Sequence, residues 1–471
     1  MVSRFKLVVL SLGYLVHYTA AYDSLKTVDL SNRGLAREDF FIKLQHQIDM
    51  REVNELILRG NRFDSFIDCS TKLDSLRILD LSYNNLRKFF FLCQEEYNLV
   101  SLNVSHNEIE YINDEALSHR VINLKILDVS YNKLYVVNDT MLQHMKNLEV
   151  LSLASNPIEE NIDSWVFQNL TQLKHLDLRN ISSPYFSPML FEPLTNLEHL
   201  DLSYNPIEDV PPLPSGLKVL YICGTNILHL GSFVMPQLRV LALENSLNLT
   251  SVLLNNFENL THLEILSMRD SPKLAQLRLR PMSIGSPLLP QLRQLSLQGC
   301  ALETLDADLL PLVERVAVLD FQNNPWKCDC HMKWLNAINM TIDLVYSFRC
   351  QTPARYRNRL LNNITDDELE CKNSLKPSIG MMVPGTILYP ILWVSLVILT
   401  VVLLVFSTLH YSRGCVTQLL IKIRHRGNDT ISYTTVIETT NDTIRILPVA
   451  DPQDAEILPN KYQQTGNEKT P

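Results

Sequence analysis

Apolar and polar positions recur along this chain at a fixed interval. From Leu124 to Leu134 the sequence runs L-K-I-L-D-V-S-Y-N-K-L, with Leu124, Leu127, Val129, Asn132 and Leu134 in set places. The same frame returns at Leu76–Leu86, Leu99–Ile109, Leu148–Ile158 and Leu197–Ile207. Such self-similarity predicts a stack of one repeated unit. Leu127 and Val129 alternate with polar positions, the two-residue period of a strand, so they share an inward face. Asn132 falls where the chain leaves the strand, and its amide can satisfy backbone groups that the bend frees. One repeat cannot bury its apolar face, but a stack can.

These residues resemble the leucine-rich repeat family, L-x-x-L-x-L-x-x-N-x-L. The resemblance implies an α/β fold, a horseshoe solenoid with a parallel concave β-sheet. Thirteen strands are expected, beginning near Leu25, Val53, Leu76, Leu99, Leu124, Leu148, Leu173, Leu197, Leu217, Leu238, Leu263, Leu292 and Val316. Arg33, Thr225, Ser246 and Ser271 replace the asparagine, Ile181 breaks its repeat, and Cys300 is a family variant at that place. Convex segments should be short helices or loops, with Trp165–Leu170 and Phe257–Leu260 plugging the core.

The last repeat runs into N324-P-W-K-C-D-C, followed by Cys350 and Cys371. This resembles the cysteine-rich C-terminal flank of extracellular leucine-rich repeat proteins, which implies Cys328–Cys350 and Cys330–Cys371 pairs. Sequence alone allows three connectivities. Cys328, Cys330 and His331 could also be metal ligands, but the flank frame explains the cysteines without a metal. No matching N-terminal cysteine cap is visible. An irregular strand at Leu25–Leu30 and an amphipathic stretch from Glu38 to Ile48 are expected to cover that edge, because an open sheet edge invites aggregation. Cys69 and Cys93 fall at nearly one phase of adjacent repeats, within disulfide reach. Cys223 and Cys300 lie too many rungs apart to bridge and are expected to be free and mostly buried.

The ends of the chain bear on location. Residues 1–21 read as a signal peptide: Arg4 and Lys6, an apolar run from Leu7 to Val16, then Thr19-Ala20-Ala21. A second apolar run, Thr386 to Leu409, has 24 residues and no charge. As a helix it would be roughly 36 Å long, enough to span a bilayer core. Arg413, Lys422, Arg424 and Arg426 follow it, which predicts a cytoplasmic C-terminal side. The expected organisation is a signal peptide (1–21), a solenoid (22–323), a cysteine-rich flank (324–371), a linker (372–385), a transmembrane helix (386–409) and a disordered cytoplasmic tail (410–471). That is a single-pass type I protein of the plasma membrane.

Composition agrees with this route. The nine cysteines include a close-spaced set that points to an oxidising compartment. Net charge is −9 and dispersed, which argues against a nucleic-acid surface. Sequons precede the apolar span at Asn103, Asn138, Asn169, Asn180, Asn248, Asn259, Asn339 and Asn363, the density of a glycosylated ectodomain. Asn103 should project from the concave face, where a glycan would block part of the sheet.

The first half of the concave face offers an acidic column beside an aromatic one. Asp80, Asp128, Asp177 and Asp201 occupy the middle outward position, and Tyr83, His106, Tyr131 and Tyr204 the position before the asparagine. Rigid aromatics beside carboxylates suit a basic or mixed protein partner. The competing reading is a merely solvated sheet. A second candidate patch surrounds Tyr221, Glu244 and Arg269. No catalytic motif, phosphate-cradling loop or cofactor signature is present, so an enzyme is not expected. In the tail, Tyr433-x-x-Val436 resembles an endocytic signal and, with Ile431, an inhibitory phosphotyrosine motif read by SH2 domains. Cys415 is a candidate for palmitoylation.

The repeats resemble those of insect Toll-type, Slit-like and Chaoptin-like ectodomains, without a Toll signalling domain. This implies protein recognition: a cell-surface adhesion molecule or ligand-binding receptor. A homodimer is a candidate assembly, which self-binding of the ectodomain would indicate. The alternatives are a co-receptor that regulates the traffic or signalling of a membrane partner, and an innate immune receptor.

Overall fold

The computed structural model describes residues 26–40 and 49–371, apart from 71, 95, 114–115, 160–161, 281–286 and 339–341, and then 396–403, 437–440 and 443–446. The chain divides into two compact units, Met1–Lys372 and Asn373–Pro471. The signal-peptide segment, Cys415, Tyr433 and Val436 lie outside the described residues.

The first unit is a solenoid around one parallel sheet of thirteen strands. In chain order these are Thr27–Asp29, Glu55–Ile57, Ile78–Asp80, Ser101–Asn103, Ile126–Asp128, Val150–Ser152, His175–Asp177, His199–Asp201, Val219–Tyr221, Val240–Ala242, Ile265–Ser267, Gln294–Ser296 and Val318–Asp320. Each pairs with the next in unbroken register, so Leu79, Leu102, Leu127, Leu151 and Leu176 stack as one column. All five are buried, as are Leu81, Val104, Val129, Leu153 and Leu178 from the second inward position. Strand alternation and the repeat length together place these residues on one continuous core.

An asparagine ladder closes each turn. Asn132 is buried. Its Oδ1 accepts from the Ile109 amide at 3.0 Å, and its Nδ2 donates to the Val104 and Val129 carbonyls, each at 3.0 Å. Asn61, Asn84, Asn107, Asn156, Asn205 and Asn324 repeat this bonding across neighbouring rungs. Where the asparagine is replaced, shorter groups reach only part of the set. Thr225 and Ser246 donate to the Ile222 and Leu243 carbonyls, and the Cys300 thiol donates to the Met268 carbonyl.

The convex side carries two short parallel pairs, Ser65–Ile67 with Lys88–Phe90 and Ser251–Leu253 with Gln276–Arg278, among turns and 3₁₀ helices. Val166, Phe167, Leu170, Phe257 and Leu260 fill the core from that side. Trp165, expected among these plugs, is instead 49% exposed. The Asp163 carboxylate takes the Trp165 amide, and the turn that follows aims Val166 and Phe167 inward in its place.

At the first edge, Phe40 is buried against Phe63, with ring centroids 5.9 Å apart, and residues 41–48 lie outside the described set. At the other end Trp326 is fully buried, packs on Phe348 and donates to the Ser347 carbonyl. Cys328 is joined to Cys350 and Cys330 to Cys371 in this flank, and Cys69 to Cys93 on the convex side. Asp68, beside the last of these, accepts from the Leu92 and Cys93 amides.

In the second unit, residues 396–403 are helical. The rest of the apolar run 386–409 lies outside the described residues, among which no helix is long and apolar enough to cross a membrane. Most of the tail, residues 410–471, lies outside the described residues; within it, Ile437–Thr440 and Thr443–Ile446 pair as antiparallel strands. Their β-branched residues flank Asn441-Asp442, residue types that favour a tight reversal.

Candidate functional site

The strands all leave the sheet in one way, and this decides what the sheet edge displays. In every rung the residue before the asparagine position has a positive φ: Asn32, Gly60, Tyr83, His106, Tyr131, Ser155, Asn180, Tyr204, Gly224, Asn245, Asp270, Gly299 and Asn323. Nine of these thirteen residues are Gly, Asn, Asp or Ser. Four are aromatic, though a left-handed backbone costs an ordinary L-residue roughly 1–2 kcal/mol.

Three of the aromatics are consecutive and stack along the solenoid. Tyr83 and His106 lie 4.0 Å apart at 14°, and His106 and Tyr131 lie 4.1 Å apart at 8°. The Arg59 guanidinium covers the outer face of Tyr83 at 4.2 Å. The result is a four-membered ladder, Arg59–Tyr83–His106–Tyr131, with both tyrosines more than two-fifths exposed. Tyr204 stands apart, 52% exposed and leaning over Gly224, where an added Cβ would lie 2.6 Å from its ring. Parallel stacking of rungs about 4.8 Å apart brings such rings to van der Waals distance.

The acidic column is less open than its outward position suggests. Asp80, Asp128, Asp177 and Asp201 each accept the amide two residues on, from Ser82, Ser130, Arg179 and Ser203. Asn103 makes the same bond to Ser105. These side chains therefore brace the turn that presents the aromatics. Burial pushes the Asp177 carboxyl up to about 6, and the neighbouring Asp201 charge adds to this. Burial likewise raises Asp128 and Asp201. Arg179 bridges the pair, 3.3 Å from Asp177 and 3.9 Å from Asp201.

Three features of this face were not read from the sequence. Ile78, Ile126, Val150, Val219, Val240 and Ile265 form a half-buried apolar stripe beside the carboxylates. His175 and His199 interrupt it and stack at 4.3 Å, and burial lowers His175 to about 4. One position earlier, charges alternate across rungs: Lys125–Glu149 and Glu149–Lys174 at 2.8 Å, then Lys218–Glu198 at 2.7 Å. Alternating signs at the repeat interval were the available signal, visible only once the rungs are stacked. In the second patch Ser267 donates to Glu244, and Arg269 donates to Gln298 and lies 3.9 Å from Asp320. Tyr221 lies two rungs from Ser267 along the same column.

The remaining predicted residues are dispersed. Asn138, Asn180, Asn259 and Asn363 are exposed, Asn103, Asn169 and Asn248 are half-buried, and Asn339 lies outside the described residues. In the flank, His331 Nδ1 lies 2.9 Å from Asp329 Oδ1 and 3.5 Å from Cys371 Sγ. Cys328 and Cys330 are both in disulfides, so neither is a free thiolate for a metal. Cys223 and Cys300 are free; Cys223 is half-buried, and burial raises its thiol to about 12.

The family model for the leucine rich repeat matches residues 97–158 and 160–207. Over 172 residues the chain is 32% identical to trophoblast glycoprotein of Macaca fascicularis, a match that takes in 35% of this chain and 34% of that protein. It is 29% identical to the Mus musculus trophoblast glycoprotein over 171 residues, 35% of this chain and 33% of that protein. The chain thus spans about a third of the length of these curated relatives. Among solved structures, the TLR13–ssRNA13 complex aligns with a TM-score of 0.50 at 22% identity over 67% of this chain and 54% of that one, a likeness of fold. The repeat frame, the asparagine ladder and the thirteen-stranded parallel sheet agree with these matches: residues 97–158 and 160–207 are leucine-rich repeats, and the same rung geometry continues on both sides of them.

Proposed function

We propose that this chain is a cell-surface, single-pass type I glycoprotein whose solenoid binds another extracellular protein, as an adhesion molecule or ligand-binding receptor. The binding surface is the sheet edge carrying Tyr83, His106 and Tyr131, with the apolar stripe beside it and the carboxylates of Asp80, Asp128, Asp177 and Asp201 beneath it. Tyr204 extends the surface toward the C-terminal rungs. The signal-like start, the apolar run 386–409 and the eight sequons support the location. The relatives' name, trophoblast glycoprotein, is consistent with the sugars.

The observation that carries this reading is the aromatic ladder at positive φ. Left-handed backbone costs each of these residues roughly 1–2 kcal/mol relative to the glycine or asparagine used in other rungs. Each stacked pair returns about 0.5–1.5 kcal/mol. Three such residues cost about 3–6 kcal/mol and the two stacked pairs return about 1–3 kcal/mol, so stacking falls short of the backbone cost and fold stability does not account for three aromatics at this place. Exposed tyrosine and arginine are the residue types that dominate protein interfaces, and His106 between them adds a rigid ring.

The test is a binding screen of residues 22–376 against cell-surface and secreted ectodomains, itself included. It runs beside a Tyr83→Asn, His106→Asn, Tyr131→Asn variant, since asparagine suits this backbone. A partner lost by a folded variant supports the reading. If the screen yields partners and the variant retains all of them, the ladder is not the site.

A further inference from the structure

The outer face of Tyr83 is covered by Arg59, but the ladder's other end is open. Beyond Tyr131 the next two rungs carry Ser155 and Asn180 in the same place, and both are too small to reach the ring as a stacking partner. Among the described residues, no ring or guanidinium stacks on the far face of Tyr131, which remains 44% exposed. Asn180 is exposed, has a φ of 54°, and opens the sequon Asn180-Ile181-Ser182. Its Nδ2 donates to Ser155 Oγ at 3.2 Å, so this exposed nitrogen lies on the side of the preceding rung, toward Tyr131.

We infer that the N-linked sugar on Asn180 folds back over Ser155 and stacks its first pyranose on the open face of Tyr131. The bond formed is the ordinary glycosidic one from Nδ2 to the anomeric carbon of a lipid-linked oligosaccharide donor; the anomeric C–O bond to the lipid pyrophosphate breaks, the pyrophosphate leaves with the electron pair, and Nδ2 gives up one proton to the medium. A pyranose ring is about as wide as one rung, about 4.8 Å, so the first residue fills the gap left by Ser155. Its axial C–H groups then meet the negative face of the phenol ring, the same face that a cation would seek. Arg59 and the sugar would thus close the two ends of the ladder. Ring edges and phenol hydroxyls would be left for a partner, and Tyr204 would be separated from the other aromatics.

This inference rests on the reading of the chain as a glycoprotein, and the experiment separates the two. The full chain is expressed in insect cells, and occupancy of Asn180 is measured by glycopeptide mass spectrometry. Tyrosine nitration by tetranitromethane is then followed residue by residue in the parent and in Asn180→Gln. Loss of the sugar should speed nitration of Tyr131 about three- to fivefold, the population change that an exposed-site ring contact produces. Tyr185, 61% exposed on another part of the surface, should not change. Asn259→Gln, at an exposed sequon away from the ladder, should also leave Tyr131 unchanged. Digestion of the native chain with peptide N-glycosidase gives a second comparison that needs no mutant to fold. An occupied Asn180 with equal Tyr131 rates would overturn the stacking and leave the glycoprotein reading intact. An unoccupied Asn180 in a chain glycosylated elsewhere would overturn the inference at its first step. A chain with no sugar anywhere would sink the glycoprotein reading itself.

Discussion

The asparagine ladder makes a prediction about two residues that the repeat pattern treats as equivalent. Asn132 and Asn205 hold the same place, and both are buried. At Asn132 the neighbours on either side are also asparagines. The Val104 carbonyl keeps a bond from Asn107, the Val129 carbonyl keeps one from Asn156, and the Ser130 carbonyl keeps the His106 amide. Asn132→Ala therefore strands one group among the described residues, the Ile109 amide. Asn205 sits between Ile181 and Thr225, which break the ladder on both sides. Its Oδ1 alone takes the Ile181 and Ser183 amides, at 3.1 and 3.2 Å. Its Nδ2 alone serves the Leu178 and Leu202 carbonyls, at 2.8 and 2.9 Å. Asn205→Ala therefore strands four groups among the described residues. At about 1–3 kcal/mol for each buried unpaired group, with some relaxation, Asn132→Ala should cost about 2 kcal/mol and Asn205→Ala at least about 4 kcal/mol. Denaturant midpoints of the disulfide-intact protein would compare the two, with amide exchange at residues 181 and 183 as a local readout. Because a solenoid need not unfold in one step, the ordering is the test and not the absolute values. Equal losses, or a larger loss at Asn132, would refute the count of shared carbonyls.

Three further outcomes follow from the same geometry. Asp177 holds its proton more tightly folded than unfolded, so its contribution to stability grows as pH falls from about 6 toward 4 and is absent above about 6. Asp177→Asn should thus be more stable than the parent at pH 7, by at most about 3 kcal/mol less the lost Arg179 ion pair. The gap should close near pH 4 in melting curves, and a variant equally destabilised at both pH values would contradict this. The triple Asn variant of Tyr83, His106 and Tyr131 should melt no lower than the parent, because backbone relief at three positions is at least as large as the loss of two stacked pairs; a large drop would make the ladder a stability device. Cys69→Ser with Cys93→Ser opens a loop of 24-residue separation and should cost about 3 kcal/mol of unfolding free energy. Asp68 still holds the Leu92 and Cys93 amides, so the rungs themselves should persist by circular dichroism.

Much of the molecule was legible because a solenoid makes few long-range decisions. Each rung contacts only its neighbours, so a residue's place in the repeat fixes its depth, its face and its stacking partners. The inward leucines, the asparagine ladder and the thirteen-stranded order follow from the sequence on that ground. The free Cys223 and Cys300 follow from counting rungs. What the repeat could not supply was how outward side chains use the room they are given. Asp177 reads as an exposed acid, yet adjacent strands and Arg179 bury it into a turn brace. Trp165 reads as a core plug, yet the turn at Asp163 sends Val166 and Phe167 inward in its place. Tyr83, His106 and Tyr131 read as a column, but only the left-handed exit from each strand lays their rings face to face. Periodicity along the chain sets which residues are neighbours. Backbone torsion and cross-rung packing, which exist only after folding, set what those neighbours can do.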